Sequence, residues 1–138
     1  MRIRERQFGH ARVFDFAGAL VGPEASASAC QALRTQLHRQ PGLVVVNLAR
    51  VADVDCEALL VLGCAERAFR RAGGALRIAW PDDGRRPLMS RRVRALFDPF
   101  DSVEDALTDL RVSMTTHRTR QAVRRWLARL AGGMRRSR

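Results

Sequence analysis

The residues best placed to do chemistry follow a run of valines: Asp53, Asp55, Cys56 and Glu57. Asp55 directly precedes a leucine-rich segment of helical length, where a carboxylate can accept the unpaired N–H groups of the first turn. Cys56 would then stand at a helix N-terminus, which favours a thiolate, although the flanking carboxylates oppose one. Three interpretations stay open: an inert capped helix start, a docking surface for a partner, and a reactive thiol.

Two predicted elements position these residues. The run at 43–48 is rich in β-branched residues and has no polar alternation, which is typical of a strand buried on both faces. The helix is predicted from Cys56 to Ala72, with Leu59, Leu62 and Phe69 as its core contacts and a glycine pair as its C-cap. A central strand therefore leads to a helix whose N-terminus lies at the surface.

The remaining elements alternate along the chain. Strands are predicted at 2–8, 11–17 and 75–80, and helices at 23–40, 88–97 and from Ser102 onwards, with residues 18–22 as a connection. The order β-β-α-β-α-β-α-α predicts an α/β domain. Its mixed sheet would have a leading antiparallel strand and then parallel strands joined by right-handed crossovers, with about four helices packed against it.

Charge divides the chain in two. The formal net charge is +11, yet the first 110 residues hold sixteen arginines against all fourteen acidic residues. Residues 111–138 hold nine arginines and no acidic residue. We therefore predict a domain at 1–112 and a basic tail at 113–138.

The tail contains a predicted amphipathic helix at 121–130. Its apolar stripe includes Trp126, and the arginines Arg124, Arg125 and Arg129 lie largely off that stripe. The stripe could pack on this domain or on a second copy of the chain. A basic amphipathic helix could instead bind an anionic membrane surface, nucleic acid or an acidic protein.

Several classes of function are disfavoured. The three cysteines lack C-x-x-C spacing and the three histidines are scattered, so neither a metal site nor a disulfide framework is predicted. No glycine-rich phosphate loop and no Ser/His/Asp set can be assigned, so we predict no cofactor and no catalytic residue. Without a secretory signal or a membrane-spanning run, the expected location is the cytoplasm.

The order and spacing of six segments resemble the STAS domain, named for sulfate transporters and anti-sigma-factor antagonists. The segments are VFDFAG at 13–18, LVVVNL at 43–48, VADVD at 51–55, RAGGAL at 71–76, RVRALF at 92–97 and SVEDAL at 102–107. Together they span about residues 8–110. The resemblance implies a STAS-like fold and a non-catalytic bacterial regulator that binds an anti-sigma factor or a related protein.

The resemblance also implies a phosphorylation site that this chain does not keep. In the family the helix opens with Asp-Ser-Ser-Gly or Asp-Ser-Thr-Gly, and a partner kinase phosphorylates the serine after the aspartate. Here Cys56 stands at that serine, Glu57 at the next hydroxyl, and Val21 where the family usually has an aspartate. We therefore expect partner binding at Asp53, Asp55, Cys56 and Glu57 and at the loop containing Gly18 and Val21, without serine phosphorylation.

Overall fold

A computed structural model of the protein describes residues 1–108. The strands are β1 (Arg2–Phe8), β2 (Ala11–Leu20), β3 (Leu43–Val54) and β4 (Ala75–Ala79), and the helices are α1 (Pro23–Arg39), α2 (Cys56–Arg71), α3 (Pro87–Leu96) and α4 (Val103–Thr108). The predicted tail helix, with Arg124, Arg125, Trp126 and Arg129, lies outside the described residues. So does the proposed boundary at residue 112.

The four strands form one sheet in the order β1-β2-β3-β4. β1 runs antiparallel to β2, whereas β2, β3 and β4 are mutually parallel. Gly9 has φ 59° in the connection between β1 and β2, a backbone conformation that glycine adopts without a steric penalty. The predicted mixed sheet and its four helices are confirmed for this part of the chain.

The sheet has two unequal faces. On the first face, Phe14, Phe16, Val44 and Val46 pack with residues of α1, α2 and α3 in the main core. The predicted α2 contacts belong to this core and are buried: Leu59, Leu62 and Phe69. On the second face, α4 covers only a small cluster: Val13, Val45, Ala79 and Ala106.

Two strands are longer than the sequence predicted. β2 continues through Gly18 to Leu20, where a connection was expected, and β3 continues past Leu48 to Val54. The pairing of β2 with β3 shifts register twice, between Asp15 and Ala17 and again between Gly18 and Ala19. At each shift β3 contains one extra residue, which is a β-bulge.

The two bulges explain why the sequence of the last residues of β3 lacks the alternation of buried and exposed side chains that is typical of a strand. Leu48, Val51 and Val54 are all buried, and they are spaced three residues apart rather than two. Each bulge reverses the alternation of side chains between the faces, so the expected period of two is lost.

Within residues 1–108, no helix combines the length and the apolar character needed to cross a bilayer.

A hydrogen-bonded set of side chains crosses three strands on the second face. Arg6 donates from Nε and Nη2 to the two carboxylate oxygens of Asp15, at 2.6 and 2.9 Å. Asn47 donates from Nδ2 to Asp15 at 2.8 Å and accepts the backbone N–H of Ala49 at 3.1 Å. Burial alone would raise the pKa of Asp15. The hydrogen bonds from Arg6 and Asn47, with the charges of Arg6 and Arg4, outweigh burial and hold that pKa below its usual value.

Asp15 should therefore contribute stability that depends on pH. Because its pKa is lower in the folded state, the contribution is present above about pH 4, the unfolded value, and is lost as pH falls through the folded value. We expect Asp15→Asn to lower the free energy of unfolding at pH 7 by about 1 kcal/mol, and to flatten its decline in acid. Urea unfolding from pH 7 to pH 3 measures both effects. Glu5→Gln, which removes the exposed ion pair with Arg12, is the control. Equal acid sensitivity of Asp15→Asn and the wild type would contradict the assignment.

Candidate functional site

The start of α2 is organised by the carboxylate of Asp55. This residue has an extended backbone, with φ −94° and ψ 174°, and its Oδ1 accepts the backbone N–H of Ala58 at 2.8 Å. The side chain thus satisfies a donor of the first turn that has no partner within the helix. The predicted N-cap is confirmed.

The same carboxylate holds the connection between β2 and α1. Its second oxygen, Oδ2, accepts the backbone N–H of Gly22 at 2.8 Å, and the backbone N–H of Asp55 donates to Leu20 at 3.2 Å. Gly22 has φ 90°, a conformation that favours glycine. These bonds fix Val21, which is 45% exposed, beside the start of α2.

Three polar residues around the cap are exposed. Cys56 and Glu57 lie in the first turn of α2, and Asp53 lies at the end of β3. Asp53 accepts the backbone N–H of Val54 at 2.8 Å, and its carboxylate lies 3.9 Å from the guanidinium of Arg92. We call the four exposed residues Val21, Asp53, Cys56 and Glu57 the helix-start surface.

Gly18 does not lie in the loop where the sequence placed it. It is part of β2, where it pairs with Val51 at the second bulge and has φ 97°. A Cβ atom added at this position would lie 3.5 Å from the Cα of Met1. That distance is an ordinary van der Waals contact, so glycine is favoured at this position by its positive φ rather than by lack of space.

Two arginines at and within α3 contribute contacts that no sequence pattern predicts. Arg86 donates to the backbone oxygens of Ala49, at 3.1 Å, and Val51, and its guanidinium lies 4.3 Å from the centre of the Trp80 ring. Arg92 donates to the backbone oxygen of Val54 at 3.1 Å. These two arginines hold α3 against the last residues of β3.

An exposed apolar side chain on α3 lies near the same surface. Leu88 is 66% exposed and is four residues before Arg92, so the two share one side of the helix. Because Arg92 contacts Val54 and Asp53, this side of α3 flanks the helix-start surface. Arg91, Arg92 and Arg94 lie opposite the apolar side of α3, a pattern typical of a solvated face, but the contacts of Arg92 with β3 show that this arginine also binds within the domain.

The start of α2 brings charged, thiol and apolar side chains together at one surface. Among residues 1–108, no group of three or more histidine, cysteine, aspartate or glutamate side chains is close enough to hold a metal ion. The site presents a capped helix start with two exposed carboxylates, one exposed thiol and a neighbouring apolar residue.

Sequence comparisons find no relative, whereas structural comparisons find similar folds. No protein-family model matches the chain, and no curated protein matches it. The anti-sigma factor antagonist SpoIIAA in its unphosphorylated form is 14% identical and has a TM-score of 0.56, with 77% of this chain and 94% of SpoIIAA covered. The protein TM1081 is 12% identical with a TM-score of 0.61, covering 80% and 90% of the two chains.

A third structure shares only part of its length. Mglu is 21% identical with a TM-score of 0.51 over 58% of this chain, and the match spans only 20% of Mglu. At these identities the likeness concerns the fold. The STAS-like fold expected from the six sequence segments is confirmed by the nearly complete coverage of SpoIIAA.

Asp55→Ala should destabilise the domain because it removes both the cap of α2 and the bond to Gly22. We expect a loss of about 2 kcal/mol in the free energy of unfolding, at the upper end for a helix cap. Asp55→Asn keeps an oxygen acceptor and should recover a large part of this loss. Urea unfolding measures the series. Asp53→Ala is the control, because it breaks only a surface ion pair and a local bond. Equal losses for Asp53→Ala and Asp55→Ala would contradict a special role of Asp55.

Proposed function

We propose that this chain is a non-catalytic regulatory protein that binds a protein partner through the helix-start surface. The partner would be an anti-sigma factor or a related regulator, and binding would take place in the cytoplasm of a bacterium. The observation that carries the proposal is a STAS-like fold whose second helix begins at an exposed surface fixed by Asp55. A fixed surface suits binding because little conformational entropy is lost on association.

The composition of the surface supports a protein partner. Val21 supplies exposed apolar area, as does Leu88 beside the surface, while Asp53 and Glu57 supply negative charge. Protein interfaces combine an apolar centre with polar groups that set specificity. A partner with a basic rim and an apolar contact would complement this arrangement.

The same surface supports binding that is not switched by phosphate. Cys56 places a thiol where the family has a phosphorylated hydroxyl, and a Ser/Thr kinase does not transfer phosphate to a thiol. Glu57 adds a permanent negative charge one residue later. In this proposal the chain is constitutively competent to bind, and regulation acts on its abundance or on its partner.

A second candidate function rests on the tail. Nine arginines with no acidic residue in 111–138 favour a scaffold that is recruited to anionic membrane or nucleic acid through Arg124, Arg125, Trp126 and Arg129. Binding of that kind falls steeply as the salt concentration rises. Binding through the helix-start surface should depend much less on salt.

Affinity purification of the full chain from its source organism, followed by mass spectrometry, separates the two functions. We expect a sigma-related regulator to be retained by the wild type and lost on Glu57→Lys. Glu104→Lys is the matched control, since it reverses an exposed first-turn charge on α4, which packs on the other face of the sheet. A tail variant with Arg124, Arg125 and Arg129 changed to glutamine should retain the regulator. Loss of all partners from the tail variant alone would support the second function instead.

If the retained regulator is a kinase, the wild-type chain should not be phosphorylated at the start of α2. Incubation of the purified pair with ATP should place no phosphate on residues 55–58, as mapped by mass spectrometry. Cys56→Ser restores a hydroxyl at that position and should become a substrate, because the cap geometry set by Asp55 is unchanged. Phosphate on residues 55–58 of the wild type would contradict the proposal.

A further inference from the structure

A cleft of about 510 Å³ opens on the second face of the sheet, beyond the area that α4 covers. Three strands contribute side chains to it, among them Arg2, Arg4, Arg6, Asp15, Asn47 and Arg50. The pairing explains why they meet. Arg2, Arg4 and Arg6 lie opposite Ala17, Asp15 and Val13, and residues directly opposite each other point to the same face.

The charges in the cleft do not balance. Four arginines face one carboxylate, and Asp15 is already bound by Arg6 in a bidentate pair. The side chains of Arg2, Arg4 and Arg50 are exposed, and none of them forms a side-chain hydrogen bond or an ion pair with another residue of 1–108, although the charge of Arg4 acts on Asp15. Like charges held close together repel one another, so an anion that bridges them is favoured.

One of the four guanidinium groups is held in place before any ligand arrives. Arg6 uses two of its five N–H donors on Asp15, and Asn47 in turn holds Asp15. Three donors of Arg6 remain for other acceptors. A positioned guanidinium loses less side-chain entropy on binding than a free one.

The first bulge places Arg50 in this cleft. Asp15 pairs with Asn47, but Ala17 pairs with Arg50, so β3 has one residue more than β2 over this interval. With regular alternation Arg50 would point to the same face as Leu48, into the core. The extra residue reverses the alternation and turns Arg50 to the face of Ala17 and Asn47.

We propose that this cleft binds a small soluble anion carrying two or more phosphate groups. Each phosphate offers several acceptor oxygens and more than one negative charge, which suits the planar fork of an arginine. The volume exceeds that of a single phosphate and lies in the range of small-ligand sites. The arginine-rich tail is a poor occupant, because it carries the same sign of charge as the cleft.

The test uses the full chain and inorganic tripolyphosphate in isothermal titration at about 150 mM salt, where surface charges are screened beyond roughly 8 Å. The cleft variant is Arg4→Gln with Arg50→Gln. The matched control is Arg124→Gln with Arg125→Gln, which removes the same charge from the tail. Thermal unfolding of both variants without ligand checks that they fold like the wild type. Citrate replaces tripolyphosphate in a parallel titration, to separate phosphate from carboxylate.

We expect tripolyphosphate to bind the wild type and the tail control with similar affinity, and to bind the cleft variant at least about tenfold more weakly. An equal loss in the two variants would mean general attraction to a basic chain and would overturn the proposal, as would the absence of binding. Tighter binding of citrate would overturn the assignment to phosphate.

A further experiment measures binding of the same variants to vesicles containing phosphatidylinositol bisphosphate. Cleft-dependent binding to these vesicles alone would overturn a soluble ligand.

Discussion

The fold depends on a strand that is longer than its neighbour. β4 pairs with β3 only over residues 43–47, whereas β3 continues to Val54. On that side no strand lies beside the residues of β3 that follow Asn47, and a buried carbonyl group without a partner is costly. Arg86 and Arg92 supply the missing donors. The hydrogen bonds to the carbonyl groups of β3 therefore position α3, and α3 in turn lies beside the start of α2.

Local signals in the sequence were sufficient for the order of the elements. The valine run, the cap at Asp55 and the glycines after α2 each act over a few residues, and the helix boundaries predicted from them agree with the structure to within one residue. The ends of β2 and β3 were missed because they depend on how two strands pair. Nothing in the run from Leu48 to Val54 shows that its spacing of three arises from bulges in a sheet.

The candidate site likewise combines local contacts that the sequence predicts with contacts between distant residues that it does not predict. The cap from Asp55 to Ala58 spans three residues and was predictable, but its bond to Gly22 joins positions 33 residues apart. Arg92 lies in a run of arginines on a short helix, which by pattern is a solvated face. An arginine that binds a distant carbonyl has the same local sequence as one that binds water, so only the fold distinguishes the two.

The bulges also affect how residues can be equated between related domains. One bulge exchanges the inward and outward positions of every residue that follows it, and the second restores the original parity. The residues of β3 that are buried in the main core therefore have even numbers before the first bulge (Leu48) and after the second (Val54), but an odd number between the two bulges (Val51). In a domain of this fold without the bulges, an ungapped alignment would match Arg50 to a residue that points into the core. Homologous positions in β3 must therefore be assigned from strand pairing rather than from sequence separation.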